Sequence, residues 1–168
     1  MAERFSGHFD AAQMTVTLEG NGGESIQVSD TPIAETVHYY SCASFLHPLL
    51  YRHQLGLEQR VWPLTNLVNF IFRVATQDLG QTEFGRRFVA TGTNPQFTQD
   101  LFSENIQNLL IKAAAKTRVT LSIMGCGEPR LRLIFSPHSG QMADYELLIE
   151  LTRLLQQRIV ELAHAAKR

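Results

Sequence analysis

Cysteine is nearly absent: Cys42 and Cys126 are the only two, and neither belongs to a CxxC pair. A disulfide-stapled scaffold is thereby excluded. Two lone thiols fit a reducing compartment, with a single bridge as the alternative. An excess of charge is absent too. The 15 basic residues face 16 acidic ones, spread along the chain, for a net charge of -1. Nonspecific nucleic-acid binding and polybasic membrane patches both need clustered Lys and Arg, so neither is expected. Nor is there a long hydrophobic run. LVNFIFRVA, residues 67–75, is interrupted by Arg73, and a bilayer span needs about 20 apolar residues. The opening MAERFSGHFDAAQ has no basic stretch followed by an apolar one, so no signal peptide is read. These absences predict a soluble, cytoplasmic protein without a transmembrane segment.

Signatures of chemistry are missing as well. There is no HExxH, no Cys/His set at zinc spacing, no GxxxxGK[ST] and no GxSxG. His47 and His53 are six positions apart, and on a strand they would lie about 20 Å from each other at about 3.3 Å per residue. His38 and Cys42 would lie about 13 Å apart by the same rise, too far for a thiolate–imidazole pair. No metal, no cofactor and no catalytic residue is therefore predicted.

What the chain does have is period. Its 168 residues suit one domain, residues 1–168, with a core large enough to need no metal or disulfide. QMTVTLEG (13–20) and ESIQVSD (24–30) alternate apolar and polar residues around Asn21-Gly22-Gly23, which reads as a β-hairpin. ETVHYYSCASF (35–45) places Val37, Tyr39, Ser41, Ala43 and Phe45 on one strand face. HPLLYRHQLGLEQRVW (47–62) is left open between strand and helix. From Pro63 the apolar spacing turns helical through about residue 78, with Gly80 as the stop. RRFVATG (86–92) reads as a strand, Gly92 to Pro95 as a turn, and PQFTQDLF (95–102) as a short helix. Ser103 is the expected N-cap of the next helix, whose buried face is Ile106, Leu109, Leu110 and Ala113. RVTLSIMG (118–125) and LRLIF (131–135) are strands joined by GCGEPR. SPHSGQ (136–141) reads as a loop, and a long helix runs from about Met142 to Ala166. Hairpins and segregated helices predict an α+β fold: an antiparallel sheet with helices packed on one face and a long C-terminal helix.

Within this order, Glu83 and Phe84 form an acidic-aromatic pair. Arg87, Phe88 and Val89 follow, then the turn at Asn94 and Pro95, then LFSENIQNLL. Over roughly residues 78 to 160 this series resembles a family of bacterial domains of unknown function with an acidic-Phe pair, an "rrF-V" strand, a proline turn and a Leu-rich helix. Many members carry transmembrane segments beside this domain; this chain has none. The resemblance implies no catalytic residues, since no reaction is assigned to that family.

The residues best placed to meet a ligand are Arg86, Arg87, Asn94 and Cys126. On a strand, Arg86 and Arg87 would point to opposite faces, so they are read as flanking charges, one paired with Glu83 or Asp78. Gly92 and Asn94 have the makings of an anion-binding nest, though a turn-and-cap role explains them as well. Cys126 sits between two glycines, where backbone amides are accessible. The function expected from all this is a noncatalytic binding or interaction module, meeting a protein partner or a second copy through an apolar helix or sheet face. Two alternatives stand beside it. One is a small-molecule or lipid pocket lined by Phe70, Phe72, Phe84, Phe88 and Tyr39. The other is an enzyme whose Cys/His site is assembled from distant segments.

Overall fold

The computed structural model describes residues 6–10, 13–19, 25–32, 39–60, 76–124 and 128–166. Its strands are β1 (Ser6–Asp10), β2 (Gln13–Glu19), β3 (Ser25–Pro32), β4 (Tyr39–Leu46), β5 (Leu55–Gln59), β6 (Thr76–Gln77), β7 (Phe88–Gly92), β8 (Val119–Met124) and β9 (Arg130–His138). The described helices are α1 (Glu83–Arg87), α2 (Pro95–Leu101), α3 (Glu104–Ala114) and α4 (Met142–Ala165). All nine strands join one sheet in the order β1-β2-β3-β4-β9-β8-β5-β7-β6. Every pairing is antiparallel.

Alternation along each strand decides which face becomes core. Val28 stands opposite Ala43, Ala43 opposite Leu133, Leu133 opposite Leu121, Leu121 opposite Leu57, and Leu57 opposite Ala90. All are buried. Because strand side chains repeat every second residue, a slip of one position in any strand would turn its apolar set toward solvent. The helices cover this same face. Leu147, Leu148, Leu151, Leu155 and Ile159 of α4, Ile106, Leu110 and Ala113 of α3, and Phe97 and Leu101 of α2 join one buried cluster with the sheet. Each such leucine, isoleucine or phenylalanine stabilises the fold by about 1.5–3 kcal/mol on burial. The expected α+β architecture, with its one-sided helices and long C-terminal helix, is the one observed.

Local expectations fare unevenly. The hairpin of residues 13–20 and 24–30 forms as β2 and β3, with Thr15 opposite Ser29; its Asn21-Gly22-Gly23 turn lies outside the described residues. Asn94 caps α2, its Oδ1 accepting from the Phe97 N–H at 3.0 Å. Ser103 occupies the N-cap of α3 but makes no side-chain capping bond. The body of the helix expected over 63–78 also lies outside the described residues. At its expected end, Thr76 and Gln77 form a strand instead. Residues 47–62 are neither one strand nor one helix. Pro48–Arg52 makes a tight helical turn capped by the His47 side chain, and Leu55–Gln59 is β5. The strand expected over 86–92 begins only at Phe88. Arg86 and Arg87 end α1, which starts earlier because Thr82 Oγ1 accepts from the Gly85 N–H at 3.2 Å and caps it. Residues 136–138 are not loop but the end of β9. No described helix is long and apolar enough to cross a membrane.

Candidate functional site

The extension of β9 to His138 assembles a buried polar cluster that sequence reading missed. Asp30 follows Ile26 and Val28 in phase, so it points to the core. Ser41 precedes Ala43 and Phe45 in phase and does the same. His138 reaches that face because the pairing shifts between Tyr39 and Ser41: Ser41 faces Phe135, yet Tyr39 faces His138. One extra residue on β9 changes its phase there, as a bulge does. The first turn of α4 then brings Asp144 and Tyr145 over the group.

The hydrogen bonds run in one direction. The Gly140 N–H donates to His138 Nδ1 at 3.1 Å, which places the imidazole proton on Nε2. Nε2 faces Ser41 Oγ at 2.7 Å. The Ser41 hydroxyl donates to Asp30 Oδ1 at 2.5 Å, and the Tyr145 hydroxyl donates to Asp30 Oδ2 at 2.8 Å. Ser139 donates to Asp144 Oδ2 at 2.8 Å, and that oxygen stands 3.8 Å from His138 Nδ1, beyond a hydrogen bond. The Tyr145 ring meets the imidazole edge-on at 5.2 Å between centroids. Burial pushes the His138 pKa below its ordinary value; Asp30 and Asp144 pull the other way without prevailing. The imidazole is neutral at pH 7.

Serine, histidine and aspartate within reach of one another invite comparison with a nucleophilic triad. The proton order is opposite. A nucleophilic serine gives its proton to an imidazole nitrogen that accepts it. Here Nε2 is the donor, and the serine proton points to Asp30. Ser41 is also only 1% exposed, so a substrate has no approach to its oxygen. The cluster ties three strands to the start of α4. Each neutral bond in such a network contributes about 0.5–1.5 kcal/mol, and a bond to a charged group about 1.5–3 kcal/mol.

The residues singled out from sequence are scattered. Arg87 pairs with Glu83 at 2.8 Å across one helical turn. Asn94 is a cap. Cys126, His38, Phe70 and Phe72 lie outside the described residues, as does the Tyr39 side chain. Phe84 and Phe88 are buried in the core; they pack at 5.1 Å between ring centroids, and Phe84 meets Phe102 at 5.4 Å. Cys42 is free, with its thiol pKa raised by burial against the opposing pull of Arg132 and Arg130. His47 caps a turn, and His53 stacks on Phe97 at 3.7 Å.

Arg86 borders an opening. A cleft of about 400 Å³ is lined by Arg60, Gln77, Asp78, Leu79, Gly80, Gln81, Gly85 and Arg86. Its floor is tightly drawn. A Cβ on Gly85 would lie 2.1 Å from the Gly80 carbonyl oxygen, so only glycine fits there. Gly80 itself turns the chain with φ of 78°, its N–H bonded to Asp78 Oδ1 at 2.8 Å. The Gln77 amide is buried at both polar ends with no hydrogen-bond partner among the described residues. Such a group costs about 1–3 kcal/mol per unpaired atom.

No protein-family model, curated protein or solved structure matches this chain. The resemblance drawn from its motifs therefore assigns no residue role. The other face of the sheet is turned away from the described helices. Ser44, Arg132, Ser122 and Gly56 stand opposite one another in a row across β4, β9, β8 and β5. Leu46, Arg130 and Met124 form the neighbouring row end, with Leu46 43% and Met124 58% exposed. Arg130 is held by Glu128 at 3.0 Å and by Ser44 at 3.1 Å. Arg132 is exposed and makes no ion pair among the described residues.

Proposed function

We propose that this protein is a noncatalytic interaction module that binds another protein through the sheet face turned away from the described helices. The observation that carries the reading is Arg132. Arg132, which makes no ion pair among the described residues, stands mid-row on the sheet face turned away from the described helices, near exposed Leu46 and Met124. A surface mixing an arginine with methionine and leucine suits protein contacts, where Arg and Met are enriched. The partner this face fits offers a carboxylate to Arg132 and apolar side chains to Leu46 and Met124. The buried Asp30–Ser41–His138 network supports the noncatalytic side of the reading, because its protons are directed inward and its serine is enclosed.

A photo-crosslinking residue at Met124, compared with one at exposed Glu150 on α4, tests this in the protein's own cells. The expected result is one discrete adduct from Met124 and none from Glu150. Binding of the identified partner, reconstituted from pure proteins, should then weaken about tenfold or more in Arg132→Glu, about 1.4 kcal/mol. Adducts confined to Glu150, or an Arg132→Glu affinity equal to wild type, would refute it. A Met124 adduct between two copies of the chain would replace the heterologous partner with a homodimer.

A further inference from the structure

We infer that the junction between β9 and α4 is a pH-sensitive latch: when His138 takes up its second ring proton, Nδ1 exchanges the Gly140 N–H for the Asp144 carboxylate, and the turn at residues 139–141 lets go of the ring. The latch is built from the buried network and does not depend on the sheet-face reading. In the neutral ring Nδ1 is an acceptor, and the Gly140 N–H fills it at 3.1 Å. That bond holds the turn at its glycine, which sits at φ 71°. A ring nitrogen that carries a proton has no lone pair to offer, so the imidazolium cannot keep the bond. An acceptor already stands within reach of the same nitrogen: Asp144 Oδ2 lies 3.8 Å from Nδ1. It has to close by only about 1 Å to make the short N–H···O bond of an ion pair.

The surroundings of the ring make the exchange one-sided. On the Nε2 side, Ser41 Oγ from β4 stands at 2.7 Å and Asp30 Oδ1 from β3 at 3.9 Å. The Nε2 proton therefore has the same partners in both states, and only the Nδ1 side changes hands. Among the described residues, the ionisable groups facing the ring are Asp30 from β3 and Asp144 and Tyr145 from α4, all acids, so none repels a second proton. Thr117, just before β8, bonds the neighbouring Pro137 carbonyl at 2.7 Å and brings no charge. The Tyr39 side chain, across on β4, lies outside the described residues. Asp144 Oδ2 already accepts from Ser139 Oγ at 2.8 Å, and a carboxylate has lone pairs enough to take the imidazolium as well. Burial holds the ring neutral at pH 7 against the pull of both carboxylates, so the latch is shut there and opens on acidification. Opening stays local, because Leu148, Leu151, Leu155 and Ile159 keep the rest of α4 buried on the core.

The test is an NMR titration of the ¹⁵N-labelled full chain from about pH 8 to about pH 5, reading the His138 ring nitrogens and the exchange of backbone amides, corrected for the intrinsic rate at each pH. At the alkaline end the ring should be neutral with its proton on Nε2. As His138 takes up its second proton, the Gly140 amide should lose about tenfold or more of its protection, while the Leu121 and Leu133 amides on the central strands keep theirs. Asp144→Asn removes the charge that receives the new N–H and should lower the midpoint of the transition by about half a pH unit or more. His138→Asn sets an amide oxygen near the position of Nδ1 and should keep Gly140 protected over the whole range; if that variant fails to fold, the wild-type titration decides. A proton on Nδ1 at the alkaline end, a ring that stays neutral throughout, Gly140 protection that is constant while the ring titrates, a simultaneous loss at Leu121 and Leu133, or an unmoved midpoint in Asp144→Asn would each overturn the latch.

Discussion

Replacing Ser41 by alanine takes one hydroxyl from the buried network and disturbs little packing, since alanine is smaller and the same strand already carries Ala43. Two bonds vanish: the one to Asp30 Oδ1 at 2.5 Å and the one facing His138 Nε2 at 2.7 Å. Asp30 keeps Tyr145, but its Oδ1 loses a close donor, worth about 1.5–3 kcal/mol. The His138 N–H loses its close acceptor at Ser41, a neutral bond worth about 0.5–1.5 kcal/mol. Together these predict a loss of roughly 2–4.5 kcal/mol, a large part of the roughly 5–15 kcal/mol that typically separates folded from unfolded. Urea unfolding followed by circular dichroism reads it directly. At a slope of about 2 kcal/mol/M the midpoint should fall by roughly 1–2 M with the slope unchanged. Ser122→Ala, on the face turned away from the described helices, is the control and should stay within about 0.5 kcal/mol. If Ser41→Ala also stays within that margin, the proton order described for the network is wrong.

The pH dependence of stability follows from the same residue set. The His138 pKa is depressed from its ordinary value of 6.5, chiefly by burial. Below that value the unfolded chain takes a proton the folded chain refuses. Stability is therefore full above about pH 6.5 and falls as pH drops toward the folded value. The His53 pKa is lowered in the same direction, by burial and then by Arg52. Urea midpoints across pH 5 to 8 in His53→Phe should retain part of the slope, and a flat profile there would assign all of it to His53. Asn94→Ala should lower stability by about 1 kcal/mol through loss of the α2 cap, read as a midpoint shift; no shift would mean the cap is replaced by solvent. Gly85→Ala should destabilise by about 1–3 kcal/mol, because its Cβ meets backbone rather than a movable side chain. A thermal midpoint equal to wild type would contradict that clash.

The fold was legible where one rule governed many residues. Strict alternation in ESIQVSD, RVTLSIMG and LRLIF set the core face, and the helical spacing after Met142 set α4. The polar cluster was half legible. Asp30 and Ser41 lie on core-facing phases of their strands, and a polar residue in such a place demands a buried partner. The partner was hidden because SPHSGQ carries turn-forming residues, while the sheet extends through Ser136 and Pro137 and shifts phase before His138. That shift is set by pairing with β4, far away in sequence. The arginine pair was misread for a related reason. A five-residue helix capped by Thr82 replaces the first part of the expected strand, and so short a helix shows no period of its own. The Gln77 amide gave no sequence signal at all, since glutamine on a two-residue strand looks like any surface residue.

Among the described residues, the N-terminal meander, β1 to β4, joins the remaining strands of the sheet through the pairing of β4 with β9. Ser41 and His138, neighbours across that seam, are 97 positions apart. On a ribosome adding roughly 5–20 residues per second, the nascent meander waits roughly 5–20 s for its partner. Throughout that interval β4 shows bare backbone donors and acceptors to whatever is near. Crowding of polysomes, more than any weakness in the finished molecule, is then the moment of greatest danger for this chain.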